Sequence, residues 1–322
     1  MKLAFRISLA FVSLITLAAR AADRPAVVLT PLEDRVRVEI NGALLTEYYF
    51  TNVPRPYCYP LLGPKQRPMT RNFPMRTVEG EERDHPHHRS LWFTHGAVNG
   101  HDFWSEQRNF GRIVHQRFET LASGREVGTL KSSNCWISAE GQLICTDERT
   151  LRFYKPAHPG ERLIDFEVTI YASQGPVTFG DTKEGSMAVR IAETMRLKGN
   201  LGKGRIVNSE GVRDDKTWGK RAKWCDYYGP VDGDIVGIAI LDHPSNPRHP
   251  TWWHVRDYGL FAANPFGKHD FEKLSDKTAG DLVVPAGQSI TFRYRILLHE
   301  GDERQGKVAE HYQRFVEGGA GF

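Results

Sequence analysis

Along most of this chain, apolar and polar residues alternate with a period of two. Val36, Val38 and Ile40 alternate with Arg35, Arg37 and Glu39, and Asn41-Gly42 follows. Successive strand side chains point to opposite faces, so this segment predicts a half-buried strand ending in a hairpin turn. Ile164, Phe166, Val168 and Ile170 repeat the pattern against Asp165, Glu167 and Thr169. Ile290, Phe292, Tyr294, Ile296 and Leu298 repeat it again behind a Pro285-Ala286-Gly287 turn signal. Ile235–Leu241 is a continuous apolar run closed by Asp242-His243-Pro244, a pattern for a strand buried on both faces. A period of 3.6 occurs in one place. Val308, Ala309, Tyr312, Phe315 and Val316 form a stripe within Glu303–Val316, which predicts a helix near the C-terminus. Strand–helix–strand alternation is absent, which disfavours a parallel sheet. The expected fold class is all-β: one large antiparallel β-sandwich with long loops and a C-terminal helix.

The N-terminus departs from this pattern. Lys2 and Arg6 precede an apolar run from Ile7 to Ala19, and Ala19-Arg20-Ala21 supplies small residues in an A-x-A pattern. This predicts a secretory signal peptide over residues 1–21, an exported chain and a single β-sandwich domain over 22–322. The run is short of the ~20 residues a membrane span needs. No other segment approaches that length, and no stable membrane span is expected. The formal charge of +4 falls by three, to +1, once Lys2, Arg6 and Arg20 are removed, so the basic balance does not argue for nucleic acid. Export permits disulfides. Cys135 and Cys145 flank Glu140-Gly141, so a hairpin is expected to bring them within bonding reach; buried free thiols are the alternative.

Three segments concentrate chemistry. The first is Arg83-Asp84-His85-Pro86-His87-His88-Arg89, running into Ser90-Leu91-Trp92-Phe93-Thr94-His95-Gly96. Histidine is the commonest metal ligand and moves protons near neutral pH. If His87 to His95 were one extended strand, its ends would lie roughly 26 Å apart and could not share an ion. The second is Gly180 to Ile191. Met187, Val189 and Ile191 form an apolar face, and Glu184, Ser186 and Arg190 share the opposite parity. The third is Asn246 to Gly259, where Trp252, His254 and Arg256 alternate with Trp253, Val255 and Asp257. Aromatic planes with Arg, His and Asp beside them suit a sugar ring and its hydroxyls. G-x-S-x-G, the Walker loop, G-x-G-x-x-G and H-E-x-x-H are all missing, which disfavours serine hydrolases, nucleotide enzymes and zincins.

The strings HPHHRSLWFTHG, GDTKEGSMAVR and NPRHPTWWHVRDYGLFAANPFG together resemble a secreted bacterial family that carries the label "methane oxygenase PmoA". The likeness covers about residues 30–316. The membrane-bound subunit which that label echoes has many spanning helices, and this sequence has no span after its leader. The close of the chain, Pro285-Ala286-Gly287-Gln288 and then a strand to Leu298-His299-Glu300-Gly301-Asp302, is similar to galactose mutarotase-like supersandwich proteins. That likeness implies a sugar bound on a concave sheet face.

The leading expectation is an acid–base enzyme acting on a glycoside or sugar derivative, as hydrolase, lyase or epimerase. Glu184 is the expected base, His254 the acid, and His87 and His88 orient substrate or bind a metal. Arg190 and Arg256 hold oxyanions or carboxylates, Lys183 and Asp257 add polar contacts, and Trp92 and Trp252 give an apolar wall. His87 or His88, Glu184 and His254 are expected to converge on one pocket. A second reading is a non-catalytic glycan-binding protein that uses Trp252, Trp253 and Trp92. A third, implied by the family label, is a copper or other divalent-metal oxidase with His85, His87, His88 and His95 as candidate ligands.

Overall fold

The computed structural model describes residues 25–318; the expected leader lies outside them. Strands dominate, in two eight-stranded antiparallel sheets and one small ribbon. The front sheet runs in the order β1 (Val27–Pro31), β2 (Arg35–Ile40), β3 (Ala43–Tyr49), β4 (Tyr57–Leu61), β5 (Leu91–His95), β11 (Gly185–Arg190), β16 (Leu260–Asn264), β15 (Trp252–Val255). The back sheet runs β12 (Arg205–Asn208), β13 (Trp224–Val231), β14 (Asp234–Asp242), β18 (Ser289–Glu300), β9 (Glu161–Tyr171), β8 (Leu143–Tyr154), β7 (Val127–Ile137), β6 (Arg112–Ala122). The ribbon pairs β10 (Val177–Phe179) with β17 (Leu282–Val284).

The period-two segments are strands, and their apolar parities meet in one core. Val36, Val38 and Ile40 from the front sheet share that cluster with Ile164, Phe166, Val168, Phe292 and Tyr294 from the back sheet. Met187, Val189 and Ile191 point into it as expected, and so do Trp253 and Val255. Neighbours such as Trp92, Ala188 and Ala262 therefore face outward from the front sheet, in a cluster of their own.

The C-terminal helix is real but shorter than expected. It spans Val308–Glu317, and residues 303–307 form turns before it. A five-residue helix, α1 (Lys268–Glu272), precedes it in the chain, so the C-terminal one is α2. The buried stripe of α2 is Val308, His311, Tyr312 and Phe315. Ala309 and Val316, expected on that stripe, are exposed. The helix packs on the far side of the back sheet, against Leu241, Leu297 and Trp224.

The Cys135–Cys145 bridge is not formed, and all four cysteines are free. The hairpin exists, but its register places Cys135 opposite Thr146 and Cys145 opposite Trp136. Paired residues share a face and adjacent ones do not, so the two thiols lie on opposite faces of the sheet.

Candidate functional site

The floor of the site is the outer face of the front sheet. Across its central strands the register places Trp92 beside Ala188, Ala188 beside Ala262 and Ala262 beside His254. The two alanines leave this face shallow. Ser90, with φ near +62°, turns the chain just before β5, and a turn from His85 O to His88 N follows the same path at 3.0 Å. Residues 85–88 thus fold back over the sheet instead of extending β5. Four rings stack as a result. His88 lies on Trp92 at 5.5 Å, His85 on His88 at 4.8 Å, and Tyr258 on His85 at 4.9 Å.

Asp84 anchors this column. It accepts hydrogen bonds from His85 Nδ1 at 2.7 Å, from Arg190 Nη2 at 2.7 Å and from Arg71 Nη1. Burial opposes its charge, but the bond from His85 and the charges of Arg190 and Arg71 outweigh burial and hold the carboxyl well below the ordinary carboxylate range. Asp84 is therefore an anion, so His85 donates through Nδ1, and in the neutral form of the ring the lone pair lies on Nε2. Arg190 Nη1 lies 3.2 Å from His88 Nδ1. A guanidinium can only donate, so His88 Nδ1 is the acceptor and Nε2 bears the proton. Burial drives the pKa of His88 far down, with His87 and Arg190 adding to the effect. Burial first, and the charge of Arg55 second, push His87 down to about 4. Both rings are neutral at neutral pH.

The opposite wall is Glu184. Its backbone is fixed by Gly96 N donating to Glu184 O at 2.7 Å and by Glu184 N donating to Thr182 Oγ1 at 3.2 Å. A Cβ on Gly96 would sit 2.8 Å from Glu184 Cβ, so only glycine allows this approach. Burial raises the Glu184 carboxyl above its ordinary pKa, and Lys183, 3.6 Å away, only partly offsets it. The third wall is Trp104. Asp102 caps the loop that carries it, accepting from Trp104 N at 2.7 Å and Ser105 N at 3.0 Å. Buried Arg55 ties the same loop to Glu106 at 2.6 Å. Together these walls enclose a cavity of about 430 Å³, which His85, His87, His88, Glu184, Trp104 and Tyr258 all line.

The model of a family of unknown function, DUF6807, matches residues 35–313. The chain belongs to that family. No curated protein matches it. Among solved structures, this DUF6807 chain is similar to the galactosidase domain of an alpha-galactosidase–sucrose kinase (TM-score 0.36, 9% identity, 86% of this chain and 41% of that one). It is also similar to a 4-alpha-glucanotransferase from Thermococcus litoralis (0.30, 8%, 88% and 41%). A galactose mutarotase-related enzyme from Lactobacillus acidophilus is a third (0.29, 9%, 85% and 97%). The chain spans less than half the length of the first two.

In this DUF6807 chain, the expected residues divide clearly. His85, His87, His88 and Glu184 meet at one cavity. Trp92 lies beneath it as the base of the stacked rings. Lys183 reaches Glu184 with its ammonium group. Arg190 is fully buried and spent on Asp84 and His88, so it positions these groups and does not hold an oxyanion. His254 is not in the cavity. It is 2% exposed, its Nδ1 donates to Lys183 O at 2.6 Å, and burial pushes it down to about 3, so it is no acid at neutral pH. Trp252 is also elsewhere, bonded to Glu272 at 3.2 Å and covered by Arg221. Trp253, offered as a recognition surface, is in the core. Arg256 and Asp257 line a neighbouring cleft.

The metal set His85, His87 and His95 does not assemble. His95 has the inward parity of β5, packs against Phe266 at 4.5 Å, and has Nε2 2.8 Å from Gly180 O. Among the described residues, no three His, Cys, Asp or Glu side chains are grouped to hold a metal ion. The copper reading thus loses its ligand set. Sequence reasoning passed over Asp84, Tyr258 and Trp104 as site residues. An Asp directly before a His was a visible signal for the first. Trp104 stands in Asp102-Phe103-Trp104-Ser105-Glu106-Gln107, a mixed polar and aromatic run without periodicity that carried no signal.

Proposed function

We propose that this chain is an enzyme that acts on a sugar or sugar derivative by acid–base chemistry in the cavity between His85 and Glu184. One observation carries the reading: an imidazole oriented by a carboxylate and a carboxyl raised by burial line the same cavity. A carboxyl raised by burial can hold a proton to give, and a neutral imidazole can accept one, so the pair can take the roles of acid and base. His85 Nε2 removes a proton from the attacking or reacting centre. Glu184 returns one to the departing oxygen or to the opposite face. His88 Nε2–H is a neutral donor beside them. Both principal groups can be reached, since the side chains of His85 and Glu184 are 39% and 37% exposed. The flat rings of Trp104 and Tyr258 supply an apolar wall, and a cavity of this size falls in the range for small ligands. Hydrolysis, elimination and epimerisation all use such a pair. We further propose export, with residues 1–21 as the leader, on the strength of the Lys2, Ile7–Ala19 and A-x-A pattern.

The test is a panel of mono- and disaccharide glycosides and their uronic acids, followed for turnover and, separately, for binding by calorimetry. Glu184→Gln keeps the shape of the side chain and removes its proton chemistry. It should leave affinity within about threefold and reduce turnover by roughly 10²-fold or more, the usual weight of one acid–base group. His85→Ala should act in the same way. Wild-type binding without turnover, with equal loss of affinity in both variants, would establish a glycan-binding protein and overturn the enzyme.

A further inference from the structure

We infer that the ligand is at least two sugar units long and that its second unit is neutral, seated beyond Tyr258 in a cleft with Arg256. This rests on the acid–base sugar site proposed above. The cleft has a volume of about 280 Å³ and is lined by Asp215, Trp218, Arg256 and Asp257. It adjoins the first cavity through a shared partition. Tyr258 is a wall of that cavity, and the Arg256 guanidinium lies 5.4 Å from the Tyr258 ring and 6.0 Å from the Trp218 ring.

Arg256 differs from the arginines around the first cavity. Arg55 and Arg89 are tied to Glu106, and Arg71 and Arg190 to Asp84. Among the described residues, Arg256 has ring contacts and no carboxylate partner, so its guanidinium donors remain for a ligand. The charge around it argues against an anion. Asp215 and Asp257 share a single counter-ion, Lys198, at 2.8 and 3.2 Å, so the lining itself carries one more negative than positive charge and reaches zero only with Lys198 counted. A fork of donors beside two carboxylate acceptors complements neighbouring hydroxyls, which both donate and accept. A neutral hexose fits this lining, and a uronate would face two carboxylates.

The experiment compares methyl glucoside, galactoside and mannoside with their disaccharides, and with disaccharides that carry one uronic acid, by calorimetry on the full exported chain. A neutral disaccharide should bind about tenfold or more tightly than its monosaccharide, a gain of about 1.4 kcal/mol. Arg256→Ala should collapse that ratio toward one. Asp215→Asn, an exposed change that spares the fold, should lower it as well. A ratio near one in the wild type, a ratio that survives both substitutions, or tighter binding of the uronate overturns the inference while leaving the acid–base site standing. Failure of every saccharide to bind removes that site, and the inference with it.

Discussion

Asp84 Oδ2 lies 2.7 Å from His85 Nδ1, and the same carboxylate receives buried Arg190 and Arg71. One anion thus sets the tautomer of a ring on the cavity and neutralises two guanidinium groups that have no access to water. Asp84→Asn should harm both functions. Breaking a buried ion pair by removing one partner costs about 3–5 kcal/mol, because it strands the other charge. The expected result is a large fall in Tm together with a His85 Nδ1 resonance that no longer reports a protonated nitrogen. An unchanged Tm would show that the arginines have other support.

Gly96→Ala tests the placement of Glu184 without touching its carboxyl. The new methyl would sit 2.8 Å from Glu184 Cβ and 3.0 Å from Glu184 O. Overpacking of this kind costs about 1–3 kcal/mol. Glu184 must move, so turnover on the saccharide panel should fall by roughly tenfold or more, the weight of about 1.4 kcal/mol of lost positioning. Folding should survive, as judged by circular dichroism.

Burial holds His95 down to about 4 and His254 down to about 3. In the unfolded chain both titrate near 6.5. Between those values the unfolded state binds the extra protons, so stability falls as the pH drops from 6.5 toward 4. At pH 5 each buried ring should cost about 2 kcal/mol. His299 has the opposite sign. Burial alone would lower it, but the charge of Asp226 and the bond to it at 3.1 Å leave it raised. Its contribution is complete below 6.5 and is lost as pH rises through its folded value. Chemical denaturation from pH 4 to 9 should show both limbs, and His299→Gln should remove the alkaline one. A profile flat between pH 6.5 and 4 would contradict the burial of the two rings.

Native-state alkylation checks the thiols. Cys135 is partly exposed, while Cys58, Cys145 and Cys225 are buried. Burial raises all four thiols above their ordinary value, so labelling should be slow at Cys135 and should require unfolding at the other three. Reductant should leave Tm unchanged. A drop in Tm with dithiothreitol would reveal a bridge.

How far the sequence speaks depends on whether the information is local. The parity of Met187, Val189 and Ile191 was readable because one face of β11 meets a core. The outward parity of His254 was readable too. The cover over it was not, because Lys183 and Phe271 of α1 arrive from distant parts of the chain. His87 and His95 show the same limit. A strand drawn from one to the other separates them along a line, whereas the turn at Ser90 sends His87 to the cavity and leaves His95 in the core. Cys135 and Cys145 fail by a single residue of register, at the irregularity between Trp136 and Ile137.

Arg190→Lys asks whether the arginine sets the proton on His88. Arg190 reaches His88 Nδ1 at 3.2 Å and Asp84 Oδ1 at 2.7 Å with different nitrogens, and lies 5.0 Å from the Tyr258 ring. A lysine ammonium is a single point on a flexible stem, so it keeps the charge beside Asp84 but cannot reproduce the planar fork. The expected cost is about 1–3 kcal/mol for the unmet buried partner, which a stable β-sandwich should withstand. His88 Nδ1 then loses its donor, and the ring divides between its two neutral tautomers. Long-range proton–nitrogen spectra should show this as the two His88 nitrogen shifts moving toward each other, while those of His85 hold, because Asp84 still binds its Nδ1. Saccharide affinity should fall as His88 Nε2–H becomes only partly occupied. Unmoved His88 shifts in the lysine variant would mean that the imidazole is set by something other than Arg190, and the donor assigned to the cavity would have no basis.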